Sequence, residues 1–91
     1  MKIEFDPEKD ATNRSKHGVS LAFGRDVFDD PDVLIVPTIR EADGEDRYKA
    51  IGKIGARLWT AVHLYRGEAV RFLSVRRSNE NEQRAYDSHT S

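Results

Sequence analysis

The chain has 91 residues, of which 37% are hydrophobic and 34% are charged, and it contains no cysteine. A chain of this length can bury one modest core, and the lack of cysteine excludes disulfide bonds and thiolate metal sites. It has neither an apolar run near the roughly 20 residues of a membrane span nor the apolar region of a signal peptide. We therefore expect one domain, residues 1–91, in a cytoplasmic protein that makes no membrane contact.

The net charge of −1 conceals a segregation of charge along the chain. Residues 1–46 carry six Lys and Arg against twelve Asp and Glu, whereas residues 47–77 carry eight against one. A basic segment within an acidic chain indicates a local surface that faces a polyanion. It does not indicate a protein that binds nucleic acid over its whole surface.

The first predicted elements are a short strand and a polar helix. Residues 2–5 alternate between polar and apolar side chains, as a strand does. Asp6 followed by proline is typical of a helix start, with a carboxylate at the N-cap and proline in the first turn. We expect this helix over residues 7–16, ended by His17 and Gly18.

A second helix and a brief strand follow. Ser20 can cap a helix over residues 21–28, which Gly24 weakens by about 1 kcal/mol relative to alanine. Residues 29–32 form an acidic turn, and residues 33–36 predict an apolar strand that the next proline ends.

Three strands and a closing helix make up the second half of the chain. The strands are predicted over residues 47–54, 58–65 and 69–77. Residues 55–56 and 66–67 separate them, and both pairs contain glycine and have the length of tight hairpin turns. The closing helix is predicted over about residues 79–87.

Hairpins with two-residue turns assign the strand residues to two faces of a sheet. One face carries Tyr48, Trp59, Ala61, His63, Val70, Phe72 and Arg76. The other face carries aliphatic side chains together with a row of cations, Arg47, Lys49, Lys53, Arg71 and Arg77. A helix can cover the aliphatic part while the cations line an open edge. A one-residue slip in either turn would exchange the faces.

The last strand ends in Arg76 and Arg77, directly before the start of a helix. Asn79 and Glu82, three residues apart, are typical of a capping box. Helix N-termini and guanidinium groups both favour anions, and phosphate above all. The alternative is that the two arginines only solvate the end of the strand.

Each histidine that could transfer a proton also has a structural explanation. His63 lies mid-strand in an apolar stretch, where a hydrogen-bonded core histidine is the alternative. His17 can equally cap the carbonyl end of its helix, and His89 lies in the tail. The chain has no metal-ligand spacing and no nucleotide-binding motif, so we expect neither a metal ion nor a cofactor.

The remaining pattern combines arginine with tyrosine, which suits RNA. Guanidinium groups bind phosphate bidentately, aromatic rings stack on unpaired bases, and we expect Arg47, Lys49 and Lys53 to bind RNA. Cleavage further needs cations that stabilise the charge developing on the phosphate, and groups that move protons. The candidates for these steps are Arg71, Arg76, Arg77, Tyr86, Glu45 and His63.

Taken together, the motifs of the chain resemble those of BrnT-type toxins, the ribonuclease half of bacterial type II toxin–antitoxin pairs. The resemblance spans nearly the whole chain, and the order and spacing of the motifs carry it. The matching residues are Phe5-Asp6-Pro7, Lys9, Asn13, Lys16-His17-Gly18-Val19, Phe23, Phe28, Asp30, Gly44-Glu45, Arg47, Ile51-Gly52, Arg71 to Arg77, Glu82 and Tyr86.

This resemblance implies an α+β fold related to RelE toxins, in which a small antiparallel sheet packs with N-terminal helices and a C-terminal helix. It also implies metal-independent cleavage of RNA and a partner antitoxin of the BrnA type. The antitoxin would carry a ribbon-helix-helix domain, through which alone the pair contacts operator DNA. Two positions depart from the family pattern. Residues 24–26 replace an acidic, alanine-containing stretch, and His63 replaces a small hydroxyl residue, so the resemblance does not support catalysis by His63.

We therefore expect an RNA endonuclease toxin that inhibits translation and is neutralised by its antitoxin. One alternative is a nucleic-acid-binding module without catalysis, whose affinity would fall steeply with salt. The other is an inactive toxin homologue that only binds its partner.

Overall fold

The computed structural model describes residues 1–38 and 46–91, which form a five-stranded sheet with helices on both faces. The elements in chain order are β1 (Lys2–Glu4), α1 (Pro7–His17), a 3₁₀ helix (Leu21–Phe23), α2 (Gly24–Val27), β2 (Leu34–Thr38), β3 (Arg47–Ile54), β4 (Arg57–Arg66), β5 (Ala69–Arg77) and α3 (Glu80–Thr90). The strand order is β1-β5-β4-β3-β2. The predicted α+β fold is confirmed, and its likeness to RelE toxins stays a prediction.

The expected antiparallel sheet is correct for four of the five strands. Strands β2 to β5 pair antiparallel, whereas β1 pairs parallel to β5, with Ile3 opposite Val70. A parallel neighbour requires a crossover, and the long path from β1 through α1 to β4 supplies it. The sheet is therefore mixed.

The two longer helices begin as the sequence predicts. The side chain of Asp6 accepts a hydrogen bond from the backbone N of Glu8, and α1 ends before Gly18, whose φ is 77°. Asn79 and Glu82 form the expected capping box at the start of α3. The helix α3 extends to Thr90, three residues beyond its predicted end.

The predicted second helix, residues 21–28, is wrong as a single element. Ser20 caps it as expected, but the segment divides into the 3₁₀ helix and the one-turn α2. Gly24 lies at the junction, against the ring of Phe72, where a Cβ atom would come within 2.6 Å of a ring carbon. Only glycine allows so close an approach, so packing on Phe72, rather than helix propensity, sets the local geometry.

The helix α2 also packs directly on β3. A Cβ atom at Gly52 would lie 2.5 Å from the carbonyl oxygen of Val27, which belongs to α2. Backbone cannot move aside as a flexible side chain can. Glycine at position 52 is therefore a requirement of this contact between helix and strand.

The predicted end of β2 at Val36 is also wrong, because the strand continues through Pro37 to Thr38. β2 is the last strand in the sheet order. A residue without an N–H group is tolerated in an edge strand, where one row of backbone groups has no strand partner. Because β2 is an edge strand, Pro37 does not end it, contrary to the prediction from the sequence.

The main core lies on the sheet face that the 3₁₀ helix and α2 cover. Its buried cluster consists of Leu21, Val27, Ala50, Ala61, Val70, Phe72 and Val75. The opposite face carries Thr60, which pairs with Ile51 and Arg76 and donates a hydrogen bond to Glu82 of α3. Each sheet face is thus covered by different helices.

The predicted register is confirmed for one hairpin and wrong for the other. Between β3 and β4, Tyr48 lies opposite His63 and Gly52 opposite Trp59, as expected. Between β4 and β5 the turn falls at residues 67–68, so that His63 lies opposite Phe72.

A β-bulge then changes which face the end of β5 presents. The register shifts between Val62 and His63, and Leu73 of β5 is the extra residue. Beyond it, Thr60 lies opposite Arg76 and Trp59 opposite Arg77. The predicted faces of these two arginines are therefore exchanged, because a bulge moves every following side chain to the other face.

Asn13 joins α1 to the part of β5 that β1 does not reach, an arrangement we call the Asn13 bridge. Its Nδ2 donates to the carbonyl oxygens of Val75 and Val19, both at 2.9 Å, and its Oδ1 accepts from the backbone N of Val75 at 3.0 Å. The amide thus pairs with Val75 as a neighbouring strand would. The bridge sets α1 beside the bulge in β5.

We expect Asn13→Ala to lower the free energy of unfolding by about 2–4 kcal/mol, because the buried N–H and C=O of Val75 would lose their partner. Urea unfolding, followed by the fluorescence of the single tryptophan Trp59, measures the change. Thr12→Ala, at an exposed position of the same helix, is the control and should cost less than about 0.5 kcal/mol. Equal stability of the two variants would contradict the bridge.

Candidate functional site

A cavity of about 550 Å³ opens where α1, β3 and β5 meet, on the sheet face opposite the main core. Its lining includes four cations and two hydroxyl groups, but no carboxylate among the residues that the structure describes. The lining residues are Lys9, Thr38, Arg47, Lys49, Val62, Leu73, Ser74 and Arg76. Charge of one sign in a concave site attracts anions.

A second cavity of about 200 Å³ adjoins the first along α1. The two share Lys9, Leu73 and Ser74 in their lining, so they meet over the bulge of β5. The second cavity adds Thr12, Asn13, Lys16 and His17. We call the two cavities together the cationic groove.

Glu82 lies beneath the groove and organises its cations. It is only 4% exposed, yet its carboxylate binds Arg76 bidentately, with N···O distances of 2.7 and 2.9 Å. The ammonium group of Lys49 lies 3.0 Å from the same carboxylate. The backbone N of Asn79 and the hydroxyl of Thr60 donate to it as well, at 2.9 and 3.0 Å.

These bonds keep Glu82 ionised although it is buried. Burial by itself raises the pKa of a carboxyl group, but the hydrogen bonds from Arg76, Asn79 and Lys49 outweigh it and lower the pKa of Glu82 to about 2. Conversely, Glu82 raises the pKa of Arg76. One buried negative charge thus faces two positive charges, which leaves a net positive charge at the floor of the groove.

The arrangement leaves the two cations accessible to a ligand. The side chains of Arg76 and Lys49 are 26% and 31% exposed, against 5% for Glu82. A guanidinium group has five N–H donors, and the bidentate pair with Glu82 engages two of its nitrogens. Arg76 is therefore fixed in direction by Glu82 while part of it still faces the groove.

A second carboxylate, Asp30, holds the middle of α3. Its Oδ2 accepts hydrogen bonds from the Tyr86 hydroxyl at 2.5 Å and from the backbone N of Lys53 at 2.7 Å. Burial and the neighbouring Asp30 raise the pKa of Tyr86 to about 12. Burial opposes ionisation of Asp30, but the bonds from Lys53 and Tyr86 lower its pKa overall.

The structure brings three of the predicted site residues together in the groove, namely Arg47, Lys49 and Arg76. It does not bring Arg77 there, because the guanidinium of Arg77 lies 5.7 Å from the ring centroid of Trp59, on the sheet face that carries the main core. Arg71 forms an ion pair with Glu4 at 3.5 Å, near the other end of β5.

Three further predicted residues do not line the groove, and a fourth cannot be placed. His63 and Tyr86 are buried. Lys53 lies near the end of β3, where its backbone N donates a hydrogen bond to Asp30. Glu45 lies outside the described residues. Catalytic roles for His63, Tyr86, Arg71 and Arg77 and an RNA-binding role for Lys53 stay predictions.

His63 is enclosed by aromatic rings on the sheet face that carries the main core. It is 0% exposed, and its Nδ1 lies 2.9 Å from the carbonyl oxygen of Ala61. The rings around it belong to Phe28, Tyr48, Tyr65 and Phe72. Burial lowers the pKa of His63, so the ring is neutral at pH 7.

Sequence reasoning missed the contribution of α1 and most of that of Glu82. Lys9 and Lys16 are seven residues apart, a spacing that places two side chains on one face of a helix, so this signal was available. Glu82 was visible only as a helix cap. Its bonds to Lys49, Thr60 and Arg76 depend on how distant strands pair.

Within residues 1–38 and 46–91, no group of three or more His, Asp and Glu side chains is placed to hold a metal ion. Over the same ranges, no helix has the length and apolar character needed to cross a membrane.

Comparison with known protein families gives a match over most of the chain. The model of the family described as "Ribonuclease toxin, BrnT, of type II toxin-antitoxin system" matches residues 5–82. No individually curated protein matches the chain. The matched range contains Glu82 and every described residue that lines the cationic groove.

The lowered pKa of Glu82 predicts how stability depends on pH. The pKa of Glu82 is 4.5 in the unfolded chain and about 2 in the folded protein. Between pH 4.5 and pH 2 the unfolded chain therefore binds more protons than the folded protein does. The carboxylate therefore contributes about 3 kcal/mol above pH 4.5, and this contribution is lost as the pH falls toward 2. We expect Glu82→Gln to be less stable than the parent protein at pH 7, with a difference that shrinks in acid.

Urea midpoints measured from pH 7 to pH 3 test this expectation. Glu80→Gln is the matched control, because Glu80 is exposed and pairs only with Arg84 among the described residues. Its difference from the parent protein should stay small at every pH. A gap for Glu82→Gln that is constant from pH 7 to pH 3 would refute the pKa assignment.

Proposed function

Because this chain belongs to the BrnT family of ribonuclease toxins of type II toxin–antitoxin systems, we propose that it is a metal-independent RNA endonuclease that cleaves RNA in the cationic groove. The observation that carries the proposal is the buried carboxylate of Glu82. It fixes Arg76 and Lys49 at the floor of the cationic groove. The described residues that line this groove include no carboxylate.

The cations of the groove would supply the charge stabilisation that the cleavage of a phosphodiester requires. When the ribose 2′-oxygen attacks the adjacent phosphorus, negative charge grows on the non-bridging phosphate oxygens. Arg76 and Lys49 are held in place before the reaction, so they stabilise this charge without first having to reorient. Lys9 and Arg47 line the same cavity and extend the positive surface to neighbouring phosphates.

The bond between Glu82 and Arg76 makes Glu82 a positioning residue in this proposal. An unpaired arginine on a strand end samples many rotamers, and a bidentate pair with a buried carboxylate restricts it to one direction. Glu82 also binds the backbone at the start of α3. The same group therefore couples the docking of the last helix to the orientation of the catalytic cations.

Membership of a type II system provides a protein antitoxin as partner. We propose that the antitoxin is of the BrnA type, with a ribbon-helix-helix domain that alone contacts operator DNA, and that it neutralises the toxin by covering the cationic groove. A partner segment rich in carboxylates would complement the groove, which is lined by lysine and arginine. Free toxin would cleave RNA and so inhibit translation.

We expect the purified protein to cleave total RNA in excess EDTA, and Arg76→Ala to lower the rate by about 10²-fold or more. This is the scale of losing one preorganised charge partner in the transition state. Gel analysis of RNA fragments over time measures the rate. Arg84→Ala is the charge-matched control, because Arg84 is exposed on α3 and pairs with Glu80 outside the groove.

Arg77→Ala separates two versions of the site. If the groove is the site, Arg77→Ala retains most of its activity, because Arg77 lies over Trp59 on the other sheet face. If both arginines act at the strand end, the two variants are equally impaired. Binding of RNA with a steep salt dependence and without fragments, in both the absence and the presence of translating ribosomes, would refute the nuclease proposal.

A further inference from the structure

The proposed cleavage needs a group that removes the proton of the 2′-OH near neutral pH. The buried candidates are poorly placed for it. The hydroxyl of Tyr86 is bound to Asp30, and the ring of His63 has no exposed surface. Glu82 accepts hydrogen bonds from four residues and stays ionised far below neutrality, so it is a weak base.

His17 differs from these groups in its position. It is the last residue of α1, its side chain is exposed, and it lines the groove together with Lys16. Histidine is the side chain whose ordinary pKa suits proton transfer at neutral pH. Among the described residues that line the groove, His17 is the one histidine, and the others are lysines, arginines or uncharged side chains.

His17 and Arg76 each line one of the two cavities that meet over the bulge of β5. Ser74 lines both cavities and precedes Arg76 by two residues, which is about 7 Å along a strand. A phosphate bound over Ser74 would lie where the cavity lined by Arg76 meets the cavity lined by His17, and Lys9 lines both. The ribose that precedes this phosphate can extend toward α1.

We propose that His17 is the general base of the cleavage reaction, an assignment that rests on the proposed ribonuclease function. The neutral imidazole takes the proton of the 2′-OH, and the 2′-oxygen forms a bond to phosphorus. The bond from phosphorus to the 5′-oxygen breaks, leaving a 2′,3′-cyclic phosphate and a 5′-hydroxyl end. The leaving oxygen takes its proton from water, and the imidazolium returns its proton to solvent, so no proton is consumed overall.

The groups that face His17 are compatible with this role. Lys9 and Lys16 of the same helix are cationic, and β5 contributes Leu73 and Ser74, which carry no charge. The described lining of this cavity holds no carboxylate that would compete with the phosphate. The two lysines would attract the RNA backbone to this cavity.

The test compares His17→Asn with His89→Asn, a histidine variant at the exposed end of α3, outside the groove. Single-turnover cleavage of a defined RNA is measured from pH 5 to pH 8, beside the dissociation constant for a 2′-deoxy analogue that cannot be cleaved. We expect His17→Asn to lower the rate by at least about 10²-fold, with a dissociation constant within about threefold of the parent value. The rise in rate from pH 5 to pH 8 that we expect of the parent protein should disappear.

A second variant separates a chemical role from a structural one. His17→Gly should recover part of its activity in added imidazole, whereas loss through misfolding would not be rescued. Parent-like rates and an unchanged pH profile in His17→Asn would overturn the assignment while the nuclease proposal stands. Equal losses of rate and affinity would overturn it in favour of a binding role. No cleavage by the parent protein, with or without ribosomes, would overturn both.

Discussion

The ion pair between the buried Glu82 and Arg76 is the interaction on which the site depends. A carboxylate taken out of water is costly unless its lone pairs are satisfied, and Glu82 has donors from β3, β4, β5 and the start of α3. These donors come from segments far apart in the sequence. Ionisation of one side chain thus requires correct strand pairing and helix docking together, and the accessible cations are oriented only when both are achieved.

The groove itself exists because β5 is irregular. The bulge at Leu73 turns Arg76 away from the main core, and the Asn13 bridge sets α1 against the same stretch of strand. Lysines from the acidic first half of the chain consequently join arginine and lysine from its basic middle segment. Although positive charge is concentrated in one segment of the sequence, the folded protein brings cations from both segments into one groove.

The sequence predicted local structure well where turns and caps determine it. The bounds of β3 and β5, the capping box and the pairing of Tyr48 with His63 follow from glycine positions and side-chain alternation. The faces of Arg76 and Arg77 could not be predicted, because the bulge has no distinctive residue. The bonds of Glu82 to Lys49, Thr60 and Arg76 could not be predicted either, because these partners meet only through the pairing of distant strands. For the same reason the sequence indicated basic strands but not which of their cations share a site.

The close contacts of Gly24 and Gly52 affect how loss-of-toxicity genetics should be interpreted. A side chain at Gly52 would meet the backbone of α2, and one at Gly24 would meet the ring of Phe72 at the centre of the core. Many codon changes at these glycines would abolish toxicity through degradation or aggregation alone. A selection for surviving cells would therefore recover both variants that do not fold and variants that fold but lack activity, and growth alone would not distinguish them. Immunoblotting of the surviving clones would sort folding alleles from those that affect chemistry.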